Sequence, residues 1–81
     1  MGNPIITIDL HGLFRDEAMR KIDKALKTAD SGTYQIKLIH GYNRGTSLKN
    51  MIVEEYRYHP KVLHVKPGDN LGTTIFVLRE L

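Results

Sequence analysis

The sequence predicts an α/β fold (an α+β two-layer sandwich), with two helices covering one face of a four-stranded mixed sheet in the order βαβαββ. Three observations carry this expectation. Two short segments rich in β-branched residues flank a stretch of helical period, which is the pattern of a βαβ unit with parallel strands. A second helical stretch follows the second strand. The last two strand-like segments are separated only by Pro67-Gly68-Asp69-Asn70-Leu71-Gly72, too short for a parallel crossover, so they pair antiparallel.

The elements follow in order. Residues 5–10, Ile-Ile-Thr-Ile-Asp-Leu, form a strand, with Ile6, Ile8 and Leu10 on one face and Thr7, Asp9 and His11 on the other. Gly12 ends it. Residues 15–30 form a helix, because Phe14, Ala18, Ile22, Ala25, Leu26 and Ala29 recur at helical spacing. Asp16 and Glu17 suit its positive end and Lys24 and Lys27 its negative end, and Ser31-Gly32 stops it. Residues 34–40 form the second strand, Ile36 and Leu38 facing one way, Gln35 and Lys37 the other. Residues 41–47 are a polar loop. Residues 47–58 form the second helix, with Leu48, Met51, Ile52 and Tyr56 on its apolar face, Thr46 or Ser47 as N-cap and Pro60 enforcing the exit. Residues 62–66 and 73–80 form the final pair of strands.

The chain of 81 residues has the size of a single domain, covering 1–81. It contains no cysteine, which excludes disulfides, thiolate metal sites and cysteine nucleophiles and fits a reducing compartment. No apolar run approaches the ~20 residues that span a bilayer, and Met1-Gly2-Asn3-Pro4 lacks the features of a secretion signal, so a cytoplasmic, membrane-free protein is expected. The net charge of +3 suits a polyanionic partner, although charge alone more often describes a solvated basic surface.

Ligands of open α/β sheets gather beyond the carboxyl ends of the strands. Here the first strand closes in Asp9-Leu10-His11-Gly12 and the second in Ile39-His40-Gly41. Asp9 and His11 share a face, and a carboxylate beside an imidazole fixes its tautomer, which equips the pair as general acid or base. The alternative is that Asp9 caps a backbone amide in the Gly12 turn. By alternation His40 falls on the opposite face, as a satisfied histidine, unless Gly41 redirects it.

The loop Gly41-Tyr42-Asn43-Arg44-Gly45-Thr46-Ser47 feeds a helix N-terminus, where free amides and the helix dipole favour phosphate. Arg44 offers a bidentate fork, and Lys49 in the first helical turn opposes the dipole unless an anion sits there. Tyr42 is the stacking candidate for a base or sugar. An ordinary capped turn is the alternative for the same residues. Lys37 and Lys66, with His64 and Arg79, share the sheet face away from the helices, which would carry a phosphate backbone or be an ordinary wet face. His59 and His64 match no metal-ligand spacing, so no metal or other cofactor is assigned.

These motifs resemble the Smr (small MutS-related) domain family. Asp9-Leu10-His11-Gly12 matches its Leu-Asp-x-His-Gly type signature, with Ile8 at the leading apolar position, and Asp16-Glu17-Ala18 opens the first helix as in the family. Ile39-His40-Gly41 with a Gly-bearing loop and Leu48 is similar to the second motif. His59-Pro60-x-Val62 and Gly72-Thr73-Thr74-Ile75-Phe76-Val77 are similar to the ending. The chain departs at Asn43, which stands where the second Gly of His-Gly-x-Gly would be, and Asn tolerates the left-handed geometry.

The resemblance implies a fold like the C-terminal domain of a bacterial translation initiation factor. It implies nucleic-acid or ribosome binding, with DNA nicking or RNA cleavage in some members. Carried over by position, Asp9, His11 and His40 would be catalytic, and Gly41, Arg44 and Gly45 would lie at the phosphate. The first expectation is therefore an endonuclease. On RNA the 2′-hydroxyl would serve as nucleophile without a metal; on DNA water must attack, and a divalent metal such as magnesium becomes relevant, though no ligand motif supports one. The alternative is a non-catalytic module that binds nucleic acid or the ribosome through the same basic surface.

Overall fold

Alternation of β-branched and polar side chains sets β1 at Ile5–Asp9, and the same alternation sets β2 at Gln35–Ile39. The computed structural model describes residues 4–41 and 47–80. Tyr42, Asn43, Arg44, Gly45 and Thr46, all expected at a phosphate, lie outside the described residues. The remaining elements are α1 (Arg15–Thr28), α2 (Ser47–Tyr56), β3 (His64–Pro67) and β4 (Thr73–Val77), which completes the expected βαβαββ order.

The sheet runs β1-β2-β4-β3. β1 and β2 are parallel, and β4 is antiparallel to both β2 and β3. β1, β2 and β3 therefore point the same way and end at one edge of the sheet. In register, Ile6, Ile36, Phe76 and Val65 form one row across the sheet, and Ile8, Leu38, Thr74 and Pro67 form the next. These rows face the helices. Ala18, Ile22, Ala25 and Leu26 of α1 and Met51, Ile52 and Tyr56 of α2 join Leu10, Ile36, Leu38, Val62 and Phe76 in a single core. A large aliphatic side chain buried to this degree contributes about 1.5–3 kcal/mol, so the core is built from few but fully used residues. The opposite face holds Thr7, Lys37, Ile75 and Lys66 in one row.

Side chains secure the helix ends. The Lys61 ammonium donates to the carbonyls of Leu26 (2.6 Å) and Ala29 (3.4 Å), satisfying the last turn of α1 at the negative end of its dipole. The Tyr56 hydroxyl donates to Asp23 Oδ1 at 2.7 Å and so ties α2 to α1. No helix among the described residues is long and apolar enough to cross a membrane.

Several boundaries differ from the sequence expectation. β1 ends one residue short of 5–10, β2 is one residue shorter at each end than 34–40, and β3 runs on to Pro67. α1 and α2 end at Thr28 and Tyr56 rather than at 30 and 58. β4 stops at Val77, and β3 starts at His64 because Val62 is spent in a turn closed by its amide on the His59 carbonyl. Phe14 is not on the apolar face of α1. It stands one residue before the helix in extended backbone (φ −74, ψ 161) and is 73% exposed, while Leu13 packs against the core in its place.

Candidate functional site

The parallel pairing of β1 and β2 brings two His-Gly sequences side by side. The Leu10 amide donates to the Ile39 carbonyl at 2.7 Å, extending the ladder past β1, and each chain then turns on a glycine of positive φ, +77 at Gly12 and +76 at Gly41. A side chain is strained at either position. A Cβ placed on Gly41 would lie 3.5 Å from His11 Cβ, so the two strand ends are in contact.

On the open side of this edge stand Asp9 and His11. Asp9 Oδ1 accepts from the His11 backbone amide at 3.1 Å and is paired with Nδ1 of the same residue. Both readings of Asp9 from sequence thus hold at once: it caps the turn and orients the imidazole. Because a carboxylate accepts, Nδ1 carries the proton and Nε2 is the basic nitrogen. The two side chains remain 56% and 69% exposed for Asp9 and His11, so Nε2 is within reach of a large substrate. Hydrogen bonding from the His11 ring, then from its amide, holds the Asp9 carboxyl below its ordinary pKa, with Lys21 adding a weaker attraction.

His40 lies on the other face of the same strand end, as alternation requires. It is 6% exposed, its Nδ1 donates to the Gly41 carbonyl at 2.8 Å, and its Nε2 pairs with Thr74 Oγ1 at 2.8 Å. The His40 and Gly41 amides both donate to the Gly72 carbonyl, at 2.9 and 3.0 Å. His40 therefore locks the end of β2 and the Gly41 turn to the start of β4. Both ring nitrogens are occupied in doing so.

The basic residues are spread around this edge. Lys37 shares a face with Asp9, and its ammonium is paired with Asp69 at 3.1 Å. Lys66 is exposed at the far end of the same row. Ser47 opens α2, and Lys49 sits in its first turn. Among the described residues no three His, Asp or Glu side chains converge as metal ligands. His59 Nδ1 accepts from the Lys61 amide at 3.1 Å, and His64 Nε2 meets Glu80 at 2.9 Å, which accounts for both. Sequence reasoning missed Thr74, Gly72 and Lys21. The first two reach His40 only through the β2–β4 pairing, and Lys21 comes near Asp9 only once α1 has docked.

The Smr domain family model matches residues 8–75. The chain is 33% identical over 78 residues to an endonuclease MutS2 from Symbiobacterium thermophilum, an alignment covering 90% of the chain but 10% of that protein, so the chain spans about a tenth of this relative. Its fold is similar to the crystal structure of the Smr domain of Thermus thermophilus MutS2, with a TM-score of 0.82, 29% identity, and coverage of 93% of this chain and 99% of that one. The ordered motifs, the two-layer mixed sheet and these similarities agree: the chain belongs to the Smr domain family.

Proposed function

We propose that this Smr domain binds nucleic acid across the edge where β1 and β2 end, and that its Asp9–His11 pair cleaves the phosphodiester backbone there. The observation that carries this reading is an exposed imidazole held in one tautomer by a neighbouring carboxylate. In that arrangement His11 Nε2 takes the proton from the attacking oxygen, and Asp9 stabilises the imidazolium that forms. On RNA the 2′-oxygen attacks phosphorus, the P–O5′ bond breaks to leave a 2′,3′-cyclic phosphate, and the leaving 5′-oxygen takes a proton from the imidazolium or from water. On DNA water attacks, one P–O ester bond breaks, and the leaving oxygen is protonated in the same way. Gly41 after β2 and Ser47 and Lys49 at the start of α2, with Arg44 and the loop Tyr42–Thr46, supply the amides and cations that hold the phosphate. Lys37 and Lys66 extend the contact over the open sheet face. His40 serves as a positioning residue, since its ring nitrogens are engaged with Gly41 and Thr74. The same surface fits free RNA, DNA or ribosomal RNA, in a cytoplasmic setting.

The test is cleavage of labelled single-stranded RNA and of supercoiled plasmid by wild type and His11→Ala, each with magnesium and with chelator. Cleavage by wild type that is lost in His11→Ala supports the reading. Equal cleavage by both assigns the activity to another catalyst. Salt-sensitive binding without cleavage leaves the non-catalytic binding module as the function.

A further inference from the structure

Between α2 and the edge strand β3 lies a groove of about 540 Å³, whose lining includes neither Asp9 nor His11. Lys49 and Val53 of α2 and Arg57, just past its end with its amide still bonded to the Val53 carbonyl, form one wall at i, i+4, i+8 spacing, so its cations are about 12 Å apart along the helix axis. Tyr58, Leu63 and Val65 contribute its apolar surface. No Asp or Glu lines it, and among the described residues neither Lys49 nor Arg57 takes part in an ion pair. Tyr58 is 85% exposed, and the Arg57 guanidinium sits 5.2 Å from its ring centroid. Unneutralised cations interleaved with an exposed aromatic ring fit a phosphate chain with unpaired bases, because phosphates take the cations and a base stacks on the ring.

The groove opens on the helix-covered face and Asp9 and His11 stand on the other, but both reach the same end of the sheet. β3 runs parallel to β1 and β2 in direction, and Lys49 lies in the first turn of α2. Pro67 and Thr74, which line the groove, therefore lie toward the same sheet edge as Asp9 and His11. Thr74 is the residue that holds His40.

We propose that this groove carries the single nucleic-acid strand that leaves the Asp9–His11 edge. This rests on the nucleic-acid reading above. The proposal commits to a strand rather than a protein segment because the wall is cationic and free of carboxylates.

The experiment measures binding by fluorescence anisotropy as a function of salt, using oligothymidylate and 2′-O-methyl oligouridylate. Each is supplied in a short form that reaches only the Asp9–His11 edge and in a form long enough to follow the groove. Wild type is compared with Arg57→Gln, with Tyr58→Ser, and with Lys27→Gln on the exposed side of α1. Loss of one single-strand phosphate contact lowers the slope of log K against log salt by about 0.7, equivalent to about 5-fold in affinity between 1 M and 0.1 M salt. That loss is expected for the long strands only, and not in the α1 variant. Tyr58→Ser is expected to weaken the long strands by about 5- to 150-fold. An unchanged slope, an equal loss for short and long strands, or the same loss in the α1 variant overturns the proposal while leaving the nucleic-acid reading intact. No binding of any strand by wild type overturns both.

Discussion

Replacing Thr74 by valine exchanges one oxygen for a methyl group of similar size, deep under α2 and beside His40. Thr74 is 2% exposed, and its hydroxyl is the described partner of His40 Nε2, at 2.8 Å. The substitution opens no cavity, so its effect isolates the hydrogen bond. It leaves a buried ring nitrogen unpaired, which costs about 1–3 kcal/mol. In a domain of this size each kilocalorie lowers Tm by about 4–8 °C, so Thr74→Val is expected to melt about 5–20 °C below wild type. Thr74→Ser keeps the hydroxyl and is expected to melt above the valine variant despite its missing methyl. The assay is thermal unfolding followed by far-ultraviolet circular dichroism. A Thr74→Val protein that melts at or above the wild-type temperature would refute the view that His40 fastens the end of β2 to β4.

Three further predictions follow from the same structure. In Asp9 the folded pKa lies below the unfolded value, so its contribution to stability is present above the unfolded pKa and is lost as pH falls through the folded one. The carboxyl carbon of Asp9, followed by NMR, is expected to titrate at a higher pH in His11→Ala than in wild type, because the largest cause of the lowering is removed; an unchanged midpoint would place that cause elsewhere. Phe14 occupies the N-cap of α1 with no side-chain cap, while Glu17 already accepts its amide at 3.2 Å. Phe14→Asp completes a capping arrangement and is expected to raise stability by about 1 kcal/mol in urea unfolding. Tyr56→Phe removes the bond to the Asp23 carboxylate and is expected to lower stability by about 1.5–3 kcal/mol in the same measurement, with no change in fold.

Much of the architecture was legible because local periodicity decides it. Ile6, Ile8 and Leu10, or Ile36 and Leu38, can bury only one face of a strand, and Ala18, Ile22, Ala25 and Leu26 only one stripe of a helix. The adjacency of Asp9 and His11 is likewise a period-two fact, and their pairing followed. Alternation also carried His40 to the core side. What stayed hidden depends on long-range docking. The insertion of β4 between β2 and β3 is what gives His40 its Thr74 partner, and Lys37 meets Asp69 only after that pairing forms. Lys61 caps α1 from more than thirty residues away, in a turn that local pattern reads as mere connection. Phe14 was misplaced because its spacing to Ala18 is helical while its backbone is not; the helix begins one residue later and turns the ring outward.

Under the proposed function the two histidines at the ends of the parallel strands have opposite duties, His11 chemical and His40 structural. The most direct measurement pairs cleavage of single-stranded RNA and supercoiled plasmid with thermal unfolding, for wild type, His11→Ala and His40→Ala. The account predicts that His11→Ala, altering an exposed side chain, stays within about 0.5 kcal/mol of wild-type stability yet loses cleavage. His40→Ala is predicted to unfold at clearly lower temperature. Full cleavage by a folded His11→Ala protein would contradict the account.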